Sequence, residues 1–172
     1  MVKKILALTL LTIVLAGCGS QKDGMNLISK GDRVAATEID ATFLNSSSLN
    51  LAKLKGEVVV LDFWATWCGP CRMEIPSFVK MYPEYHPKGL EIVGLTVEAP
   101  SSQPAGYFKK FLESFSINYP IGFASENTSR AYGIQSIPAT YFIDKTGKVA
   151  MAFVGTHSEE DIKGVIEKLL AE

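Results

Sequence analysis

Val58-Val59-Val60-Leu61-Asp62-Phe63-Trp64 is an apolar run broken by a single acid, and it leads within four residues to Cys68-Gly69-Pro70-Cys71. A strand that is apolar in both phases must be covered on both faces, which selects the centre of a parallel or mixed sheet with layers on either side. A helix is expected next, from about Cys71 to Tyr82, with Pro76 forcing a kink or a restart. The first cysteine therefore stands at a helix N-terminus, where free N–H groups and the helix dipole favour an anion. A thiol pKa moved from about 8.5 to about 7 corresponds to about 2 kcal/mol of thiolate stabilisation. Cys68 is the expected nucleophile and Cys71 the resolving thiol, close enough to close an intramolecular disulfide and release a mixed-disulfide partner. A zinc site would need more ligands than the isolated His86 and His157 provide, so no metal is expected. A purely structural disulfide is the plain alternative for the pair.

The remaining pattern alternates strands and helices. Val34 to Phe43 and Ser48 to Leu51 read as short extended segments before a turn at Lys55-Gly56. Leu90 to Val97 reads as a second strand, 99–106 as a loop, and Tyr107 to Phe115 as a helix. Tyr141-Phe142-Ile143, the turn Asp144-Lys145-Thr146-Gly147 and Val149 to Val154 form a hairpin. Ser158 caps a final helix with three acids in its first turn and a stripe of Ile162, Val165, Ile166, Leu169 and Leu170. The expected fold class is α/β, a three-layer α/β/α sandwich around a mixed sheet. Packing of the last stripe on the sheet satisfies it, so a monomer is expected.

The start of the chain is an address. Two lysines precede the apolar stretch Ile5 to Leu15, a signal-peptide core too short to span a bilayer. It ends Leu15-Ala16-Gly17-Cys18, which resembles the lipobox of bacterial lipoproteins. That likeness implies lipidation of Cys18 and cleavage before it, leaving 155 residues of net charge −3. Two or three acyl chains, at roughly 0.8 kcal/mol per buried methylene, hold a protein on a membrane without a spanning helix. The expected organisation is 1–17 signal peptide, 18–32 flexible tether with a reach of roughly 20 Å, and 33–172 a single domain. With no basic run, the chain has nothing to neutralise a phosphate backbone, so no nucleic-acid partner is expected.

Asp62-Phe63-Trp64-Ala65-Thr66-Trp67-Cys68-Gly69-Pro70-Cys71-Arg72 resembles the thioredoxin active-site segment. Ala131-Tyr132-Gly133-Ile134-Gln135-Ser136-Ile137-Pro138-Ala139-Thr140 resembles the later loop of the same fold. The N-terminal extension, the insertion in the 90s to 120s, Glu74-Ile75-Pro76 and the Phe142 to Gly147 turn are similar to the extracytoplasmic, membrane-tethered TlpA/ResA-like thiol:disulfide oxidoreductases. The likeness covers roughly 32–172. It implies a thioredoxin fold with an N-terminal extended extension and a helical insertion, working through a redox-active disulfide and no other cofactor. Pro138 matches the family's cis-proline and Ile137 its docking backbone. Trp67, Gly69 and Pro70 border the client, with Trp67 as exposed apolar surface and Trp64 in the core. Asp62 matches the buried acid of thioredoxin, a proton acceptor for Cys71, although the tethered branch often carries asparagine there. Glu74 matches an acid that tunes the thiols. Glu98, at the carboxyl end of a strand, is either near the disulfide or an ordinary loop acid.

The Gly69-Pro70 pair resembles reducing thioredoxins, which implies reduction of protein disulfides. An oxidising compartment then requires a membrane-embedded thiol donor. The family likeness adds apocytochrome c, with its paired haem-attachment cysteines, as one client. Three other functions share parts of this pattern. A thiol peroxidase would surround its cysteine with threonine and arginine, here Thr66 and Arg72. A copper-delivery protein would use a wider cysteine spacing and a downstream histidine near the place of Ser136. A noncatalytic binding lipoprotein would keep its role without either thiol.

Overall fold

A computed structural model of the chain describes residues 28, 30–45 and 49–172. The expected signal peptide, Cys18 and most of the tether lie outside them. The elements are β1 (Ala41–Phe43), β2 (Val58–Trp64), α1 (Gly69–Tyr85), β3 (Leu90–Thr96), α2 (Tyr107–Ser114), β4 (Ile121–Ala124), α3 (Glu126–Ala131), β5 (Ala139–Ile143), β6 (Val149–Val154) and α4 (Glu159–Leu170). The sheet order is β1-β4-β3-β2-β5-β6. β2, β3 and β4 run parallel, while β1, β5 and β6 are antiparallel to their neighbours. This is a thioredoxin-like α/β fold with a mixed sheet.

Every residue of β2 and β3 is buried, as continuous apolar runs demand of central strands. Val58, Val60 and Trp64 face α1, α2 and α4 in a cluster containing Ile75, Phe78, Phe111 and Val165. Val59, Leu61 and Phe63 point the other way, against Leu51 and Tyr132. Trp64 stacks on Phe111 at 5.3 Å between centroids. Gly94 makes room for this packing. A Cβ there would lie 2.4 Å from Ile121 Cδ1 and 3.1 Å from the Trp64 indole nitrogen. Gly94→Ala is therefore expected to cost about 1–3 kcal/mol as overpacking, read as a lower denaturant midpoint with an unchanged slope.

Several boundaries differ from the sequence reading. Within Val34 to Phe43 only Ala41–Phe43 forms a strand, with one isolated bridge from Ala35 to Lys148. Leu51 is not extended but opens a 3-10 turn, Leu51–Leu54, capped by Asn50, whose side chain accepts the Ala52 N–H at 2.8 Å. Ser48 lies outside the described residues. The loop 99–106 contains a 3-10 turn over Pro100–Ser102. α1 starts at Gly69, because Pro70 in a first turn gives up no hydrogen bond. It also continues through Pro76 and Pro83 to Tyr85. The Val79 carbonyl, whose helical donor would have been residue 83, accepts instead from the Asn118 side chain at 3.0 Å. The capping box at Ser158 and Asp161 starts α4 as expected.

The N-terminal segment closes onto the far end of the sheet. The Ile28 N–H donates to the Ala150 carbonyl at 2.9 Å. Arg33 is buried and donates to Asp144 at 2.9 Å and to both carboxylate oxygens of Glu172 at 2.7 and 2.8 Å. Ile28 and residues 30–32, within the expected tether, thus border this clamp. The strand register puts Ile143 beside Val149 there, and Ala139 beside Val154 at the end that carries the cysteines.

Candidate active site

The site begins where β2 ends. Ala65, Thr66 and Trp67 make the turn, with the Cys68 N–H donating to the Ala65 carbonyl at 3.1 Å. Cys68 is the N-cap of α1, in extended backbone geometry, and its Sγ accepts the Cys71 N–H at 3.2 Å. Cys68 and Cys71 are joined as a disulfide. Both are buried, while Gly69, Pro70 and Trp67 beside them are exposed. The N-terminus of α1, with its free N–H groups and positive dipole end, is thus directed at the Cys68 sulfur.

The Ile137-Pro138 peptide bond is cis. Phe63 pairs with Ala139 across the β2–β5 ladder, so Pro138 sits at the thiol-bearing end of the sheet. Its carbonyl accepts the Gly155 N–H at 2.9 Å. Between the Trp67 side chain, the Val97–Pro100 segment and Ile134–Ile137 lies a mainly apolar cleft of about 750 Å³. Ser136 is part of its wall.

Two carboxyl groups are buried nearby. Asp62 shares the α1-facing side of β2 with Trp64. It is 2% exposed, and its Oδ1 has no hydrogen-bond partner among the described residues. Burial, and then the charge of Glu74, holds its pKa well above the ordinary aspartate value. Glu74 is also buried. Its Oε1 accepts the His157 N–H at 2.6 Å, and its Oε2 is unpartnered among the described residues. Burial raises its pKa and the His157 N–H opposes that rise.

Glu98 is not an ordinary loop acid. It is buried, and its carboxylate accepts both the N–H and the hydroxyl of Thr66. The strand-end position was the signal available in the sequence; the partner was not. Trp67 is 67% exposed and Trp64 1%, as read. His86 follows the far end of α1, with Nδ1 2.9 Å from the Leu90 carbonyl. His157 is half-buried and stacks on Phe153 at 3.9 Å. Arg72 extends over the Phe115 ring at 5.5 Å. With the Thr66 hydroxyl engaged by Glu98, the threonine and arginine of a peroxidase pocket are committed elsewhere.

The chain is similar to known proteins. The AhpC/TSA family matches residues 33–152. A thiol-disulfide oxidoreductase ResA from Geobacillus thermodenitrificans is 38% identical over 120 residues, covering 69% of this chain and 67% of the relative. A protein of the same name from Bacillus anthracis is 33% identical over 129 residues, 74% of this chain and 72% of the relative. The crystal structure of a thiol:disulfide interchange protein of the thioredoxin family from Chlorobium tepidum superposes with a TM-score of 0.72 at 28% identity, covering 83% of this chain and 99% of that one.

Proposed function

The chain belongs to the AhpC/TSA family and is a thiol:disulfide oxidoreductase, and from that premise we propose that it is a lipid-anchored, extracytoplasmic reductase of protein disulfides. The observation that carries this reading is the Cys68–Cys71 disulfide at the N-terminus of α1, next in the chain to Trp67, which lines an apolar cleft together with Ile137. In the reduced enzyme the Cys68 thiolate attacks one sulfur of a client disulfide. A mixed disulfide forms and the other client sulfur leaves as a thiolate. Cys71 then loses its proton to Asp62 and attacks Cys68 Sγ, releasing the second client thiolate and closing the enzyme disulfide. Two electrons pass to the client. The cis Ile137-Pro138 segment presents backbone to the client, Trp67, Gly69 and Pro70 border it, and Glu74 tunes the thiols.

The anchor is the acylated Cys18. Among the described residues no helix is long and apolar enough to cross a membrane; in this proposal the acyl chains provide the attachment. The tether joins the domain at Ala150, away from the thiol-bearing end of the sheet. Re-reduction requires a membrane-embedded thiol donor, because the compartment is oxidising. Apocytochrome c, whose cysteine pair must be reduced before haem attachment, is the client class the family likeness favours.

The test is the equilibrium reduction potential of the Cys68/Cys71 couple in the full-length chain, followed by tryptophan fluorescence in glutathione or dithiothreitol buffers. A value near thioredoxin's, about −270 mV, supports a reductase. A value near −120 mV, about that of a strong disulfide donor, reverses the direction of transfer. Absence of a reversible two-electron transition removes the catalytic reading altogether.

A further inference from the structure

Glu98 is a buried carboxylate that the exchange steps above do not use. It is 7% exposed and lies just beyond β3. Its Oε2 accepts the Thr66 N–H at 2.5 Å and the Thr96 hydroxyl at 3.3 Å. Its Oε1 accepts the Thr66 hydroxyl at 3.0 Å and the Gln103 amide at 3.4 Å. Thr66 is itself 2% exposed and stands two residues before Cys68. One residue away, the Val97 N–H donates to the Trp64 carbonyl at 2.9 Å. The strand end therefore grips the nucleophile loop at Trp64 and at Thr66, and Cys68 is tied back to Ala65. Among the described residues no lysine, arginine or histidine forms an ion pair with Glu98. A buried carboxylate held only by neutral donors is a costly way to gain stability. What the hydrogen bonds do is fix position.

The same side chain borders the cleft. Trp67, the residue between Thr66 and the nucleophile, lines the cleft together with Val97, Glu98 and Ile137. We infer that Glu98 is a positioning residue for the exchange reaction: acting through Thr66, it sets where Cys68 and Trp67 stand relative to the Ile137 wall, and so how a client segment in the cleft meets the sulfur. This inference rests on the thiol:disulfide reading above.

Removal of the carboxylate leaves two buried Thr66 donors unmatched, and the loop must move to find water. A displacement of about 1 Å can cost as much as a hundredfold in rate. A folded client that has to occupy the cleft registers that shift fully. A small aromatic disulfide, which needs only access to sulfur, registers less of it. Glutamine at 98 restores the fit: its amide oxygen accepts the Thr66 N–H, and its NH2 donates to the Thr66 hydroxyl oxygen.

The experiment compares the wild-type full-length chain with Glu98→Ala, Glu98→Gln and Thr66→Val, using insulin and 5,5′-dithiobis(2-nitrobenzoate) as the two disulfides and separating kcat from KM. Glu98→Ala is expected to lose about tenfold or more in kcat/KM on insulin, with part of the loss in KM, and clearly less on the small disulfide. Glu98→Gln is expected to recover most of the loss, and Thr66→Val to reproduce part of it. Equal losses on both disulfides with no recovery by glutamine overturn the inference, as does a Glu98→Ala enzyme with wild-type insulin kinetics. If Glu98→Ala fails to fold, Thr66→Val decides: a selective loss on insulin supports positioning, and wild-type values overturn it. A wild-type chain that reduces neither disulfide, and is matched by Cys68→Ser, refutes the functional reading itself and this inference with it.

Discussion

Cys71→Ser stops the enzyme at the mixed disulfide. The variant keeps Cys68 at the N-cap of α1, and the backbone N–H of residue 71 still points at its sulfur, so attack on a client proceeds. No second thiol is then in place to release the product. Well-oriented intramolecular reactants have effective molarities of about 10⁵ M or more, against millimolar solution thiol, so turnover should fall by about 10³-fold or more. The expected result on a non-reducing gel is a covalent enzyme–client band that dithiothreitol dissolves. Cys68→Ser should form no such band and lose turnover as completely. A band that survives in Cys68→Ser and vanishes in Cys71→Ser exchanges the two roles. Turnover in both variants returns the pair to a structural disulfide.

How much of this was legible in the sequence depends on whether a residue's surroundings are local. The strand Val58–Trp64 was readable because both phases are apolar, which admits only a central position. The final helix was readable because its cap, acidic first turn and stripe agree. β4 was not read: four residues interrupted by Gly122 and preceded by Pro120 carry no period, and pairing with β3 and β1 makes them a strand. α3 was missed for a related reason. Its six residues have no apolar stripe, and the helix is started by the Ser125 side chain accepting the Thr128 N–H. The cysteine pair, Pro138 and Trp67 were legible from the motif and its order in the chain. The fates of the acids were not. Glu74 is buried by a contact with His157, 83 residues later, and Glu98 by one with Thr66, 32 residues earlier. Whether a carboxyl group is solvated is a property of the assembled layers, and one-dimensional spacing does not carry it.

Asp62→Asn should make the protein more stable and the enzyme slower. Burial first, and the charge of Glu74 second, raise the Asp62 pKa in the folded chain. In the unfolded chain the group titrates near 3.9. Between those two values the native state holds a proton that the unfolded state has lost, so stability falls as pH rises, and the fall ends once the folded group has ionised. Asparagine has no such titration. Its advantage should be absent below about pH 4, grow upward from there, and level off once the folded Asp62 has ionised. Guanidinium midpoints of the oxidised protein across this pH range check the sign; parallel curves for the two proteins would show that Asp62 does not titrate abnormally. The same substitution removes the group proposed above to accept the Cys71 proton. Loss of a general base costs about 10²-fold or more, and it should appear in release of the mixed disulfide rather than in its formation, resolved by stopped-flow tryptophan fluorescence. Glu74→Gln provides the control on cause. Without the neighbouring charge the folded Asp62 should ionise at lower pH, so the stability loss of the single variant should level off earlier in the titration than that of the wild-type protein.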